Sequence, residues 1–413
     1  MKVTPRFLGI AIGAIVLSSC GSQPAKTAET TTEKKDTIAV SAPKEETANT
    51  DIIEPGINTD AHNKLNDVAL YLAGIRQDSS SVPSRLRNLA SYKQYCDTLD
   101  KGFSNIEKNR LSKMRDWAKT EMANELANPK TVLYPFSGPD ILHCVQFFPD
   151  ADQYVMLALE RYGALPAAAQ MDSAKASNTL KYINNSLEDI IGKSYFITRK
   201  MAYNVSNQYN GFTPLACVFL ERTGHSILDI RYKHLTEDGK EVDQPLDSMG
   251  HHQNDCVVIY FKKNGGSKIQ KLTYFKTNLG DDPYLGTPGM LGNPGLQAYL
   301  NALPEGYMYA KSASYLMCQK DFSVIRNICM KKSKTVLQDD TGIAFGFYDP
   351  KVWKITLYGN YEKPIADFHG GYYQANLQAA YKKDSASVKP LPFSLGYHWK
   401  DQVQNLMKFE KKS

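Results

Sequence analysis

From residue 131 onward, segments typical of buried strands alternate with segments typical of helices, and this alternation constrains the fold more than any other feature. TVLYPF is rich in strand-forming residues, a short helix is expected over 141–148, and QYVMLALE has the continuous apolar pattern of a strand buried on both faces. Later strand segments contain Tyr309 and Val336 and flank a further helical one. The alternation predicts an α/β fold with a mixed, mostly parallel sheet and helices on both faces.

One predicted hairpin accounts for the mixed character of the sheet. DCVVIYFKKNGGSKIQKLTYFKTNL contains two alternating runs on either side of Asn264, Gly265 and Gly266, which form a turn signal. In residues 61–128, by contrast, apolar residues recur at spacings of three and four, which favours helices. The sequence therefore predicts a helical region at 61–128 and an α/β body at 129–413.

The N-terminus has the features of a bacterial export signal. Lys2 and Arg6 precede an apolar run at 7–17 that is too short to span a bilayer. The motif LSSC, which ends at Cys20, resembles the lipobox of bacterial lipoproteins. The resemblance implies that the signal peptide, 1–19, is removed and that Cys20 is acylated, for example with palmitate. The alternative is an ordinary secretory signal with an incidental cysteine.

The segment after this cysteine is predicted to be a tether. Residues 20–60 hold many Thr, Ala, Glu and Lys and almost no aromatic residues, a composition typical of disorder. We therefore expect a membrane-anchored protein of the cell envelope at the outer membrane, with its leaflet and orientation left open. The chain has a net charge of +6, but its basic residues are dispersed and not interleaved with aromatics, so nucleic acid is not an expected partner.

The cysteines leave the question of disulfides open. The chain has seven cysteines, and those other than Cys20 are Cys96, Cys144, Cys217, Cys256, Cys318 and Cys329. An even number in an oxidising compartment permits disulfides, and Cys318–Cys329 is the first pair to test. Several of them stand in apolar runs, where a free cysteine packs as a small apolar residue.

Polar residues end or follow four of the predicted strands. Because the carboxyl ends of parallel strands meet at one edge of a sheet, we expect these residues to line a ligand-binding cleft there. The candidates are Ser137, Gly138, Asp140, Glu160, Lys311, Ser312, Asp339 and Asp340. Structural roles are the alternative, since Ser137 and Asp140 are suited to capping a helix and Asp339 and Asp340 to forming a turn. Within the cleft we expect Lys311 to pair with an acid such as Asp339, and a second acid beside it to have a raised pKa.

Four segments carry a resemblance to a family. YPFSGPDILHCVQFFPDADQYVMLALE, KSASYLM with FSVIRNICM, QDDTGIAFGFYD and LPFSLGYHW resemble segments of uncharacterised bacterial envelope lipoproteins. The first segment is also similar to the opening of Rossmann-like methyltransferases, and this similarity implies a Rossmann-like body. Glu160 follows Gly138 at a spacing close to that of a ribose-binding acid. However, Pro139 follows a single glycine and lacks an amide that could face a cofactor, so no cofactor is expected.

Two further motifs contain residues that are common in metal or catalytic sites. His251 and His252 are adjacent and have no third ligand at a suitable spacing, so a metal site is not expected. Ser137 lies on a predicted strand-to-helix turn with His143 on the following helix, but the G-x-S-x-G motif of nucleophile elbows is absent.

Three kinds of function remain open on the sequence alone. The protein could bind a small or polymeric envelope ligand, such as a glycan, in the strand-end cleft. It could be a hydrolase or transferase that uses Ser137 with Asp339 or Asp340, or a structural or interaction lipoprotein without a site. Geometry distinguishes them, because an enzyme needs a nucleophile and a base within hydrogen-bond reach, whereas a binding protein needs only the cleft.

Overall fold

The computed structural model describes most of the chain after residue 55. The ranges are 56–59, 62–78, 81–127, 131–196, 211–284, 286–368, 371–383, 385–399 and 403–412. All of them belong to one unit, Asp51–Ser413. The predicted signal peptide, Cys20 and most of the predicted tether lie outside the described residues, as do 197–210.

Ten strands of the described residues form a single sheet. They are β1 (Thr131–Pro135), β2 (Gln153–Ala158), β3 (His225–Leu235), β4 (Glu241–Gln244), β5 (Asp255–Lys263), β6 (Ile269–Lys276), β7 (Gly306–Ala310), β8 (Ser333–Gln338), β9 (Trp353–Gly359) and β10 (Asn405–Lys411). Their order across the sheet is β4-β3-β5-β6-β2-β1-β7-β8-β10-β9.

The centre of the sheet is parallel and its two edges are antiparallel. Strands β6, β2, β1, β7 and β8 pair in parallel, with Leu133 opposite Val155 and Tyr309 opposite Leu337. The pairs β5–β6, β3–β5 and β3–β4 are antiparallel, as are β8–β10 and β9–β10. The expected mixed α/β sheet is therefore confirmed, but the expectation that it is mostly parallel holds only for the centre. Hydrophobic patterning reveals that a strand exists but not its direction, and β10 was not predicted.

Helices precede, connect and flank the strands. They are α1 (Lys64–Leu72), α2 (Ser84–Arg87), α3 (Ala90–Ile106), α4 (Ser112–Glu121), α5 (Ala123–Ala127), α6 (Ile141–Phe147), α7 (Ser173–Lys193), α8 (Phe212–Arg222), α9 (Pro294–Ala302), α10 (Ser323–Lys332) and α11 (Ala375–Lys383). A π-helical turn, Glu107–Leu111, joins α3 to α4. Side-chain caps fix several of the helix starts. Asp172, for example, accepts from the backbone N–H of Lys175 at 2.7 Å.

The two faces of the sheet are covered by different sets of helices. Val132 and Tyr134 pack in a core with residues of α1, α3, α4, α6, α7 and α8, whereas Leu133 packs on the opposite face with residues of α9, α10 and α11. This alternation follows from the two-residue period of a strand, and each fully buried large apolar side chain contributes about 1.5–3 kcal/mol. Among the described residues, no helix has both the length and the apolar character needed to cross a bilayer.

The described cysteines do not form the Cys318–Cys329 disulfide, which is the pair that the sequence suggests testing first. Cys318 and Cys329 are both free, as are Cys96, Cys144, Cys217 and Cys256. Cys329 is packed in the apolar core on one face of the sheet, while the Cys318 thiol donates to the carbonyl oxygen of Gly342 at 3.3 Å.

Candidate functional site

A cavity of about 540 Å³ opens beyond the carboxyl ends of four of the central strands. Its lining includes residues that end or follow β1, β2, β6 and β7. The chain passes from β1 to β2 on one side, whereas β7 lies on the other side of β1. In open α/β sheets, ligands bind at such a reversal of strand order.

The structure brings six of the eight predicted site residues to this cavity. Its lining includes Ser137, Gly138, Asp140, Glu160, Lys311 and Ser312. Asp339 and Asp340, which follow β8, are not among the described lining residues. Ligand binding by the six remains a prediction, because the structure establishes only where they lie.

The backbone at two strand exits adopts the left-handed conformation. Phe136 and Gly138 follow β1 with φ of 57° and 53°, and Ser312 and Ser314 follow β7 with φ of 55° and 54°. Residues other than glycine rarely adopt this conformation, which stores strain and is concentrated at functional sites. The strand exits therefore turn sharply and place Ser137 and Ser312 against the cavity.

A buried polar network forms the floor of the cavity. Nζ of Lys311 lies 2.6 Å from Oδ2 of Asp140, and Oδ1 of the same carboxylate lies 2.7 Å from Nδ1 of His143. The hydroxyl of Tyr134 donates to Asp140 at 3.1 Å. Although burial opposes ionisation, His143 and Lys311 hold the pKa of Asp140 well below its usual value.

The remaining members of this network are also occupied. Lys311 donates to the carbonyl oxygen of Ser194 and lies 3.2 Å from Nδ1 of His143. Arg110 donates to the carbonyl oxygen of Ile190 at 2.9 Å, and burial lowers its pKa to about 10. Burial, together with the charges of Lys311 and Arg110, lowers the pKa of His143 to about 4 against the attraction of Asp140. His143 is therefore neutral at pH 7. The polar groups in the floor of the cavity already have hydrogen-bond or ion-pair partners, so the floor is a preformed surface.

Three polar atoms on the lining residues are buried and have no hydrogen-bond partner in the described structure. They are Oγ of Ser137, Oε2 of Glu160 and Oγ of Ser312. Ser137 is only 4% exposed, and burial raises the pKa of Glu160. Leaving a buried polar group without a partner costs about 1–3 kcal/mol, so each such group in a native protein requires an explanation. A bound molecule with hydrogen-bonding groups would supply the missing partners.

Asp339 and Asp340 connect the loop after β8 to neighbouring segments and are not among the described lining residues. Asp339 accepts from the backbone N–H groups of Ser312 at 2.9 Å and Thr341 at 3.0 Å, and Asp340 accepts from the side chains of Tyr315 and Asn405. Burial and the charge of Asp340 raise the pKa of Asp339 to about 6. Lys311 does pair with an acid of the predicted set, but that acid is Asp140 and not Asp339, which was the expected example. Strand β7 lies between β1 and β8, so either acid was a possible partner, and only the packing of the lysine side chain decides between them.

Sequence reasoning missed one wall of the cavity. Asn278, Asp282 and Tyr284 follow β6 and contribute to the lining, as does Tyr397 near the C-terminus. β6 was predicted only as the second strand of a hairpin, but it is also parallel to β2, so its carboxyl end reaches the same edge. The polar segment TNLGDDPY, which directly follows this strand, is the sequence feature that indicates this wall of the cavity.

The described lining does not assemble a nucleophile with a base. Ser137 Oγ has no hydrogen-bond partner there, and His143 is engaged by Asp140, Lys311 and Arg110. In the described ranges, no three His, Cys, Asp or Glu side chains are grouped so as to hold a metal ion. The ring of His252 stacks on that of His234 at 4.0 Å between centroids.

Comparison of the chain with models of protein families, with curated proteins and with solved structures found no match.

Proposed function

We propose that this protein is a binding protein for a small organic molecule, which it holds in the strand-end cavity. The observation that carries the proposal is the set of three unpartnered polar atoms on Ser137, Glu160 and Ser312, all on residues that line one cavity. A volume of about 540 Å³ is within the range of ligand pockets, about 300–1,000 Å³. This size favours a small molecule, or one residue of a polymer such as a glycan.

We further infer a Rossmann-like arrangement for the five parallel strands. In chain order, the first of them, β1, is central, the second and third, β2 and β6, lie on one side, and the fourth and fifth, β7 and β8, lie on the other. This is the order 3-2-1-4-5 that begins the Rossmann fold. The glycine-rich phosphate loop of that fold is missing, and Pro139 lacks the amide that would face a phosphate, which argues against a dinucleotide.

The location of the cavity is a separate part of the proposal. The lipobox-like motif ending at Cys20 supports attachment to the cell envelope through acyl chains at the outer membrane. The composition of 20–60 supports a tether that connects this anchor to the body. The protein would then hold its ligand close to a membrane surface.

The two other functions have less support. A hydrolase or transferase that uses Ser137 with Asp339 or Asp340 would need these groups in one site. Neither aspartate is among the described lining residues of the cavity, and both form hydrogen bonds in the loop after β8. A purely structural lipoprotein would be expected to use its buried polar groups for caps and turns. Asp140 does cap α6, but the Ser137 and Ser312 hydroxyls have no hydrogen-bond partner within the described ranges.

The test removes the unpartnered hydroxyls while preserving the fold. In a Ser137→Ala/Ser312→Ala variant, we expect an unchanged or slightly higher melting temperature, because a buried hydroxyl without a partner lowers the stability of the folded state and does not contribute to it. The fraction of protein that carries a co-purified small molecule, measured by native mass spectrometry, should fall on the order of tenfold.

The matched control is Ser333→Ala, a buried serine whose hydroxyl donates to the carbonyl oxygen of Cys329 at 2.6 Å. This variant should lose about 1 kcal/mol of stability and keep the ligand. A double variant that is destabilised like the control, or that retains the full amount of ligand, would contradict the proposal.

A further inference from the structure

The cavity is acidic, although the chain as a whole carries a net charge of +6. The described residues that line it include four acids, Asp140, Glu160, Asp282 and Asp321, and one basic residue, Lys311. The basic composition of the chain would favour an anionic partner, but it does not describe this site. Charged residues that shape a cavity act on a ligand far more strongly than dispersed surface charges, which solvent and salt screen.

The single described lysine of the lining does not offset these acids. Its Nζ lies 2.6 Å from Oδ2 of Asp140, and both side chains are 2% exposed. The pair is neutral overall, which leaves Glu160, Asp282 and Asp321 without an ion-pair partner in the part of the chain that the structure describes. Asp282 and Asp321 are exposed and Glu160 is partly buried, so negative charge extends from the mouth into the cavity.

The buried polar atoms of the lining that have no partner in the described structure indicate which chemical group of a ligand would contact these acids. In the part of the chain that the structure describes, Oε2 of Glu160 is buried and has no hydrogen-bond partner, and neither has Oγ of Ser137, a residue that is 4% exposed. A carboxylate accepts hydrogen bonds and an ammonium group only donates them, so the two are complementary in both charge and hydrogen bonding.

Aromatic rings complete the walls. The rings of Phe136 and Phe322 pack edge to face with centroids 5.7 Å apart, and those of Tyr195 and Tyr397 do so at 4.7 Å. Tyr284 is 57% exposed and also belongs to the lining. The faces of such rings attract cations, and their apolar area holds the carbon skeleton of a ligand.

We propose that the ligand is an organic cation, a small amine whose ammonium group is held by Glu160 while its apolar part packs against the aromatic walls. This inference rests on the proposed binding function and names the chemical class of its ligand. The lining selects against anions, because three carboxylates that have no cation partner among the described residues would repel them.

The experiment uses three probes of matched size, namely 2-phenylethylamine, 2-phenylethanol and phenylacetate, whose binding to the full chain is measured by calorimetry at pH 7. The three share an aromatic ring and differ in charge. We expect the amine to bind on the order of tenfold more tightly than the alcohol, with phenylacetate the weakest. The same measurements are made on Glu160→Gln and on the matched control Glu237→Gln, which changes an exposed glutamate outside the cavity lining.

Glu160→Gln should remove most of the preference for the amine over the alcohol, and Glu237→Gln should leave it unchanged. Equal binding of the amine and the alcohol, or an amine preference that persists in Glu160→Gln, overturns the inference but leaves a binding function intact. If no probe binds, the charge of the molecule found by native mass spectrometry decides, since a neutral or anionic molecule also overturns it. Failure of every probe together with the absence of any co-purified molecule counts against the binding function itself.

Discussion

The ammonium group of Lys311 and the carboxylate of Asp140 form a buried ion pair, with Nζ 2.6 Å from Oδ2. Lys311 directly follows β7 and Asp140 caps α6, so the pair connects two segments that leave the sheet on neighbouring strands. A buried pair tolerates the loss of one member poorly, because the partner charge then remains in a medium that cannot solvate it. We therefore expect the stability of the protein to be sensitive to substitutions of this pair in the cavity floor.

Replacing the lysine alone should strongly destabilise the protein. We expect Lys311→Met to lower the free energy of unfolding by about 3–5 kcal/mol, because Asp140 would be left buried without its cation. The combined Lys311→Met/Asp140→Asn variant should recover part of this loss, since no unpaired charge remains. Urea denaturation of the three proteins measures both effects.

The matched control for this change is Lys119→Met. Nζ of Lys119 lies 3.3 Å from Asp116 at the surface, and the two side chains are 72% and 74% exposed. Its loss should change stability by no more than about 0.5 kcal/mol. A Lys311→Met variant as stable as this control would show that the buried pair is not needed.

Glu221 on α8 should make stability depend on pH. Burial raises its pKa to about 8, against about 4.3 in an unfolded chain. Between these values the folded protein keeps a proton that the unfolded chain releases, so this residue lowers stability as the pH rises, by about 1.4 kcal/mol per pH unit. Glu221→Gln removes the titration, and the stability difference between variant and wild type should therefore grow from pH 5 to pH 8.

Urea denaturation at each pH gives this difference directly. Glu237→Gln, which alters an exposed glutamate, should show a difference that does not change with pH. A Glu221→Gln variant that behaved in the same way would mean that Glu221 is already ionised in the folded protein.

Gly306 at the start of β7 is required by the close approach of a neighbouring strand. A Cβ atom at this position would come 2.2 Å from the carbonyl oxygen of Thr131 on β1. We expect Gly306→Ala to lower the free energy of unfolding by about 1–3 kcal/mol, because the two strands would have to separate. Gly192→Ala on α7 has no atom within 4 Å of the new methyl group and should instead stabilise the protein by about 0.4–1 kcal/mol. Thermal denaturation compares the two, and equal effects would contradict the steric argument.

The predicted anchor is tested by Cys20→Ser. We expect the variant to lack acyl chains and to leave the membrane fraction in high salt, because several buried acyl chains are what would hold the protein there. Mass spectrometry of the N-terminal peptide and membrane fractionation measure the two effects. An ordinary secretory signal with an incidental cysteine would instead leave both variant and wild type soluble after export.

The central architecture could be predicted from the sequence because it follows from local patterns. The apolar runs that contain Leu133, Val155, Tyr309 and Val336 were expected in one sheet, and they lie in four adjacent parallel strands. The hairpin around 264–266 was also expected and pairs β5 with β6. Apart from this hairpin, the antiparallel pairings at the edges were not foreseen, and β10 was missed entirely, because the pattern of a strand carries no signal of its direction or partner.

Local patterns are enough to place residues at the carboxyl edge of the sheet, because a residue that directly follows a parallel strand lies where that strand ends. That is why Ser137, Glu160 and Lys311 meet at one cavity. The direction in which each side chain points, and the partner that it takes, depend on tertiary packing. Lys311 pairs with Asp140, which caps α6, whereas Asp339 accepts from the backbone N–H of Thr341 in the loop after β8. These side-chain partners depend on contacts between segments distant in sequence, which the periodicity of apolar residues does not reveal.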